Sequence, residues 1–144
     1  MRKYSVLKHT ADYKIRAFGK DLPELFSNAA AAMTEFLYKN AKLKTQPFDS
    51  TQGRSAKDKR IIKIKSRDLK ALLVDWLSEL LYLSDANNLA YLKFNFKRLT
   101  ETELAAEVFG FSAEPKDDIK AVTYHGLEIK EVKGGWEAVV LFDI

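Results

Sequence analysis

Apolar and polar residues alternate along this chain with two different periods, and each change of period marks a new element. Tyr4 to His9 reads as a short strand, followed by a turn at Thr10-Ala11-Asp12 and a second strand, Tyr13 to Phe18, that stops at Gly19. Apolar residues then recur at Leu22, Leu25, Phe26, Ala29, Ala30, Met33, Phe36 and Leu37, the spacing of one buried helix face over about four turns. Asp21 stands before this run as an N-cap, with Pro23 in the first turn and Glu24 three places on to complete a capping box. Asn40 to Asp58 contains Pro47, Gly53 and several small polar residues and reads as a loop or frayed strand.

Arg60 to Lys65 resumes the strand pattern. A second helix follows, capped near Ser66 or Asp68, with Leu69, Leu72, Leu73, Trp76, Leu77, Leu80 and Leu81 on one face and Asp85, Asn87 and Asn88 as breakers. In Leu92 to Phe96 the apolar residues alternate with Lys93 and Asn95, as in a strand with one buried side. Thr100-Glu101 turns it into a partner, Leu104 to Phe111. A short apolar piece, Ile119 to Tyr124, precedes a last hairpin that joins Leu127–Val132 to Trp136–Phe142 through Gly134-Gly135, where positive φ is cheap. The expected fold class is α+β: two amphipathic helices packed on a largely antiparallel sheet, as one domain over residues 1–144.

Composition narrows the function more than the fold. The 144 residues are 47% hydrophobic, enough for a core at this length. There is no cysteine, which excludes disulfides, zinc ribbons and thiol catalysis. No apolar signal core follows the amino terminus, and no apolar run approaches the roughly 20 residues that span a bilayer. A cytoplasmic protein is expected. The formal net charge is only +4, with acids and bases mostly interleaved. The exception is Lys57, Lys59, Arg60, Lys63, Lys65 and Arg67. Its ordinary reading is a solvated loop and the outer side of a strand; contact with RNA or an acidic partner is the other.

Candidate chemistry is sparse. No Gly-x-Ser-x-Gly elbow, phosphate-binding Gly-Lys loop or His-Glu-x-x-His motif occurs. The only histidines are His9 and His125. His9 stands three residues before Asp12, a spacing that suits a hydrogen-bonded turn as well as a metal. At the other end an apolar strand runs into Asp143-Ile144, setting a carboxylate side chain beside the α-carboxylate of Ile144. Adjacent anionic groups repel unless a cation neutralises them, and a hard ion such as calcium or magnesium takes several oxygen ligands.

At these residues the chain resembles the archease family. The resemblance is carried by His9-Thr10-Ala11-Asp12, by Asp21 to Phe26 in the first helix, and by Val74 to Leu81 in the second. It continues through Ile119-Lys120-Ala121-Val122-Thr123-Tyr124-His125 and the closing Phe142-Asp143-Ile144. The resemblance implies an accessory protein, itself no enzyme, that activates an RtcB-type tRNA-splicing RNA ligase. It would promote guanylylation of the ligase with GTP and repeated turnover, touching tRNA only through that partner. It also implies a divalent metal, calcium foremost, with magnesium or manganese as alternatives, on Asp12, Asp143 and Ile144. Lys120 would be a functional basic residue, and His9 and His125 are candidates for outer partners of the site. Two other readings compete: a stand-alone metal-dependent hydrolase, and a general RNA-binding or chaperone-like module.

Overall fold

The structure, a computed structural model, describes residues 3–8, 11–41 and 56–144. His9, Thr10 and most of the loop expected between Asn40 and Asp58 lie outside the described residues. The element order is β1 (Tyr4–Lys8), β2 (Asp12–Gly19), α1 (Leu22–Leu37), β3 (Tyr38–Lys39), β4 (Asp58–Lys65) and α2 (Leu69–Asn87). It continues with β5 (Ala90–Leu99), β6 (Glu103–Phe111), β7 (Glu114–Pro115), β8 (Ala121–Val132) and β9 (Gly135–Asp143).

Two helices pack on antiparallel strands, as the sequence predicts, but the strands form more than one sheet. One has four strands in the order β1-β2-β9-β8 and another has three in the order β4-β6-β5; β3 and β7 pair as a short ribbon. A shared hydrophobic core unites them, running from Tyr13 and Ile15 through Phe26, Met33, Leu73 and Trp76 to Val108 and Phe142. The two apolar pieces predicted around residue 125 are one strand, β8, whose pairing with β9 jumps between Thr123 and Glu128. Gly126 takes φ +67° inside that bulge.

The helix ends follow local chemistry. Asp21 Oδ1 accepts the Glu24 N–H at 3.0 Å. Glu24 Oε1 accepts from Lys20 N–H at 2.7 Å, one residue outside the expected capping box. The second cap is Asp68, which accepts the Ala71 N–H at 2.8 Å, while Ser66 instead donates to Asp75. Such a cap contributes about 1 kcal/mol. Asp85 and Asn87 stay within α2, and Asn88 ends it in the left-handed region, which asparagine tolerates better than most residues.

Buried tyrosines tie separate elements together. Tyr13 Oη donates to the Ala32 carbonyl at 2.9 Å, and Tyr91 Oη donates to Asp58 Oδ2 at 2.6 Å. Burial, then the nearby Glu35 charge, pushes Tyr13 up to about 12. Burial, then the bond to Asp58, pushes Tyr91 up to about 12. Unfolding returns both to about 10, so the folded chain keeps protons that the unfolded chain releases. This stability is complete below pH 10 and is lost as pH rises toward 12, at about 1.4 kcal/mol per pH unit for each tyrosine. Denaturant midpoints measured across this range are expected to fall, and Tyr13→Phe is expected to flatten the fall by about one proton. Equal slopes in the two proteins would contradict the assignment.

Candidate metal centre

Strands β2 and β9 are antiparallel neighbours with Asp12 opposite Asp143, Tyr13 opposite Phe142, Ile15 opposite Val140 and Ala17 opposite Ala138. The last three pairs are all buried. Tyr13 stacks on Phe36 at 4.3 Å between ring centroids and meets Phe142 at 5.6 Å. These contacts hold Tyr13 and Phe142 in the core. Side chains alternate along a strand, so Asp12 and Asp143 must both project from the other face. Residues directly opposite each other in an antiparallel pair have Cβ atoms about 4.5–5.5 Å apart.

The pair is electrostatically incomplete. Asp12 Oδ1 is shielded from solvent and has no hydrogen-bond partner among the described residues. A buried carboxylate oxygen without a partner is costly, and a second carboxylate opposite it raises the cost. A hard cation answers both conditions, since it takes oxygen ligands and cancels the repulsion. Among the described residues no group of three His, Asp or Glu side chains could hold a metal. Two aspartates alone are fewer ligands than a hard cation takes. The family resemblance implies the α-carboxylate of Ile144, next to Asp143, as the further donor. Carboxylate oxygens such as these suit a divalent ion of the calcium or magnesium kind better than a softer metal.

Lys120 is brought to the same corner by its backbone, its N–H donating to the Asp143 carbonyl at 2.7 Å. The next residue, Ala121, lies opposite Asp143 on the third strand and adds no bulk there. The Lys120 side chain is exposed and makes no ion pair with either aspartate, leaving its ammonium able to reach outward. His125 is exposed within the β8 bulge, and its backbone N–H bonds to Thr123 Oγ1 at 3.3 Å. The structure does not bring His125 against the aspartates, and His9 lies outside the described residues. Ala121 entered the sequence reading only as part of the family motif, because a small apolar residue carries no chemical signal of its own.

The Gly134-Gly135 turn lies at the far end of these strands. It borders a cavity of about 400 Å³ lined by Phe18, Lys20, Val132 and Trp136. A Cβ on Gly135 would come within 2.1 Å of the Gly19 carbonyl oxygen, so close strand approach explains this glycine without a phosphate.

A sequence profile of the Archease protein family (MTH1598/TM1083) matches residues 4–144. Protein archease of Methanosarcina mazei is 38% identical over 152 residues, covering 99% of this chain and 97% of its own. Protein archease of Methanothermobacter thermautotrophicus is 34% identical, with both chains covered in full. The solution structure of Methanobacterium thermoautotrophicum protein 1598 superposes with a TM-score of 0.74 at 32% identity, over all of both chains. A crystal structure from Thermotoga maritima, described as an archease and possible chaperone, gives a TM-score of 0.65 at 20% identity. It covers all of this chain and 98% of that one, a likeness of fold.

Proposed function

This chain belongs to the archease family, and from that premise we propose that it activates an RtcB-type tRNA-splicing RNA ligase. In this reading it promotes guanylylation of the ligase with GTP, so that the ligase turns over repeatedly, and leaves the bond-forming chemistry to the ligase. The observation that carries the reading is the Asp12–Asp143 pair, with its shielded and unpartnered Oδ1.

Asp12, Asp143 and the α-carboxylate of Ile144 would hold a divalent ion, calcium foremost, with magnesium or manganese as alternatives. When bound, such an ion supplies positive charge that can neutralise phosphate oxygens. The chain's own part is to fix the two side-chain carboxylates. The core packing of Tyr13 and Phe142 does so, because neither strand can slip by one residue without turning its core residues outward. Lys120 would present its exposed ammonium beside this corner to an anionic group of the nucleotide or the partner. Among the described residues no helix is long and apolar enough to cross a membrane, which suits work beside a ligase in the cytoplasm.

The test is a guanylylation time course of the cognate ligase with labelled GTP, with and without the purified chain. Faster ligase–GMP formation and repeated RNA joining are expected. An unchanged time course, with the chain merely keeping the ligase from aggregating, would favour a chaperone role instead.

A further inference from the structure

The core side of the three-stranded sheet carries Ile62 on β4 and Leu104, Ala106 and Val108 on β6, all buried. Its other side is not covered by any described element. There β4 presents Lys59, Lys63 and Lys65, and β5 presents Lys93, Lys97 and Arg98, all exposed. The only acids on that side of the three strands are Glu103 and Glu107, on the central strand β6. Each is shared by two cations. Glu103 lies 2.7 Å from Arg98 and 3.6 Å from Lys65. Glu107 lies 3.2 Å from Lys59 and 3.9 Å from Lys97. Among the described residues Lys63 and Lys93 have no carboxylate partner. Six cations against two carboxylates leave an excess of four, as large as the formal +4 of the entire chain.

This surface is more than a solvated face, because it is aromatic where it is most basic. Phe109 lies opposite Lys59 on one side and Lys93 on the other. Their Nζ atoms are 5.9 Å and 5.6 Å from its ring centroid, near the outer limit of a cation–π contact. Those flexible side chains can follow phosphates and give up the ring to a base. Ile61, 66% exposed, lies on the same side opposite Glu107.

We propose that the open face of the β4-β6-β5 sheet binds single-stranded RNA, with the lysine rows on β4 and β5 contacting phosphates and Phe109 stacking a base. Sheet faces that combine basic side chains with half-exposed rings bind single strands in this way. An acidic protein surface would use the ammonium groups alone. A ring flanked by two lysines offers a nucleobase a stacking partner that a carboxylate cannot exploit.

The experiment titrates the full chain into a labelled single-stranded oligoribonucleotide, followed by anisotropy. Ligase is left out and chelator is present, so the result is independent of the metal corner. Saturable binding is expected to weaken with salt. Lys63→Glu combined with Lys93→Glu removes two phosphate contacts and should reduce the slope of log K against log salt by about 1.4. Phe109→Leu keeps apolar bulk but loses the stacking ring, and should weaken binding roughly tenfold at unchanged slope. Unaltered melting temperatures would show that these variants are folded. Absence of binding at low salt, or wild-type affinity in the charge-reversal variant, overturns the proposal. Equal competition by polyglutamate, or wild-type affinity of Phe109→Leu, overturns it in favour of an acidic protein partner.

Discussion

Replacing Asp12 by Asn is expected to lower the affinity for a divalent ion on the order of 100-fold, or about 2.8 kcal/mol. The substitution keeps the shape of the side chain and removes the charge. It also removes the repulsion between Asp12 and Asp143, which oppose each other across β2 and β9. Metal-free Asp12→Asn should therefore be at least as stable as metal-free wild type. Added calcium should raise the melting temperature of the wild type, because a ligand that binds only the folded state stabilises it by mass action. The variant should barely respond at the same concentration. One extra residue after Ile144 should weaken the response too, while leaving Phe142 in its core position. A structural aspartate would give the opposite pattern, with lower stability in chelator and an intact response to calcium. That outcome would remove the metal corner from the proposed function.

Trp76→Ala is expected to be the most destabilising single change considered, costing about 3–5 kcal/mol. Trp76 is fully buried and joins three elements at once. Its ring meets Phe94 edge-on at 5.3 Å and Phe96 at 5.1 Å. Its Nε1–H donates to the Phe26 carbonyl of α1 at 3.1 Å. Truncation leaves a cavity between α2 and the three-stranded sheet, and removes a buried hydrogen bond worth about 1 kcal/mol, although the Phe26 carbonyl lies within α1 and keeps its helical partner. Domains of this size are stable by only about 5–15 kcal/mol, so much of the margin goes. Thermal unfolding should begin well below the wild-type temperature. Trp76→Phe keeps most of the volume but not the N–H donor, and should fall between the two. Near-equal midpoints for Trp76→Ala and wild type would mean that this junction is not where the layers are held.

The two helices and most strands were legible because their signals are local. A run such as Leu69, Leu72, Leu73, Trp76, Leu77 and Leu80 buries one face of a helix in whatever fold contains it, and all but Leu69 are buried here. The alternation in Leu92 to Phe96 likewise announces a strand with one wet side. The β3–β7 ribbon carried no such signal, since two-residue strands have no period to read. The pieces before and after His125 looked like separate elements because the bulge at Gly126 interrupts the alternation without ending the strand.

The sequence by itself determined which residues face inward, where the helices begin and which acidic residues had to be explained. It did so through backbone periodicity and capping, both settled within a few neighbouring residues. Only the tertiary structure decided that the strands divide into separate sheets, because strand pairing joins segments distant in sequence and leaves no local trace. Pairing of β2 with β9 sets Asp12 opposite Asp143, although the two stand near opposite ends of the chain. Pairing of β4 and β5 on either side of β6 likewise gathers lysines from separate segments around Phe109. In both places the individual charges were plain in the sequence. Their convergence on one face follows from strand register, which the packing of Tyr13, Phe142 and Val108 in the core enforces.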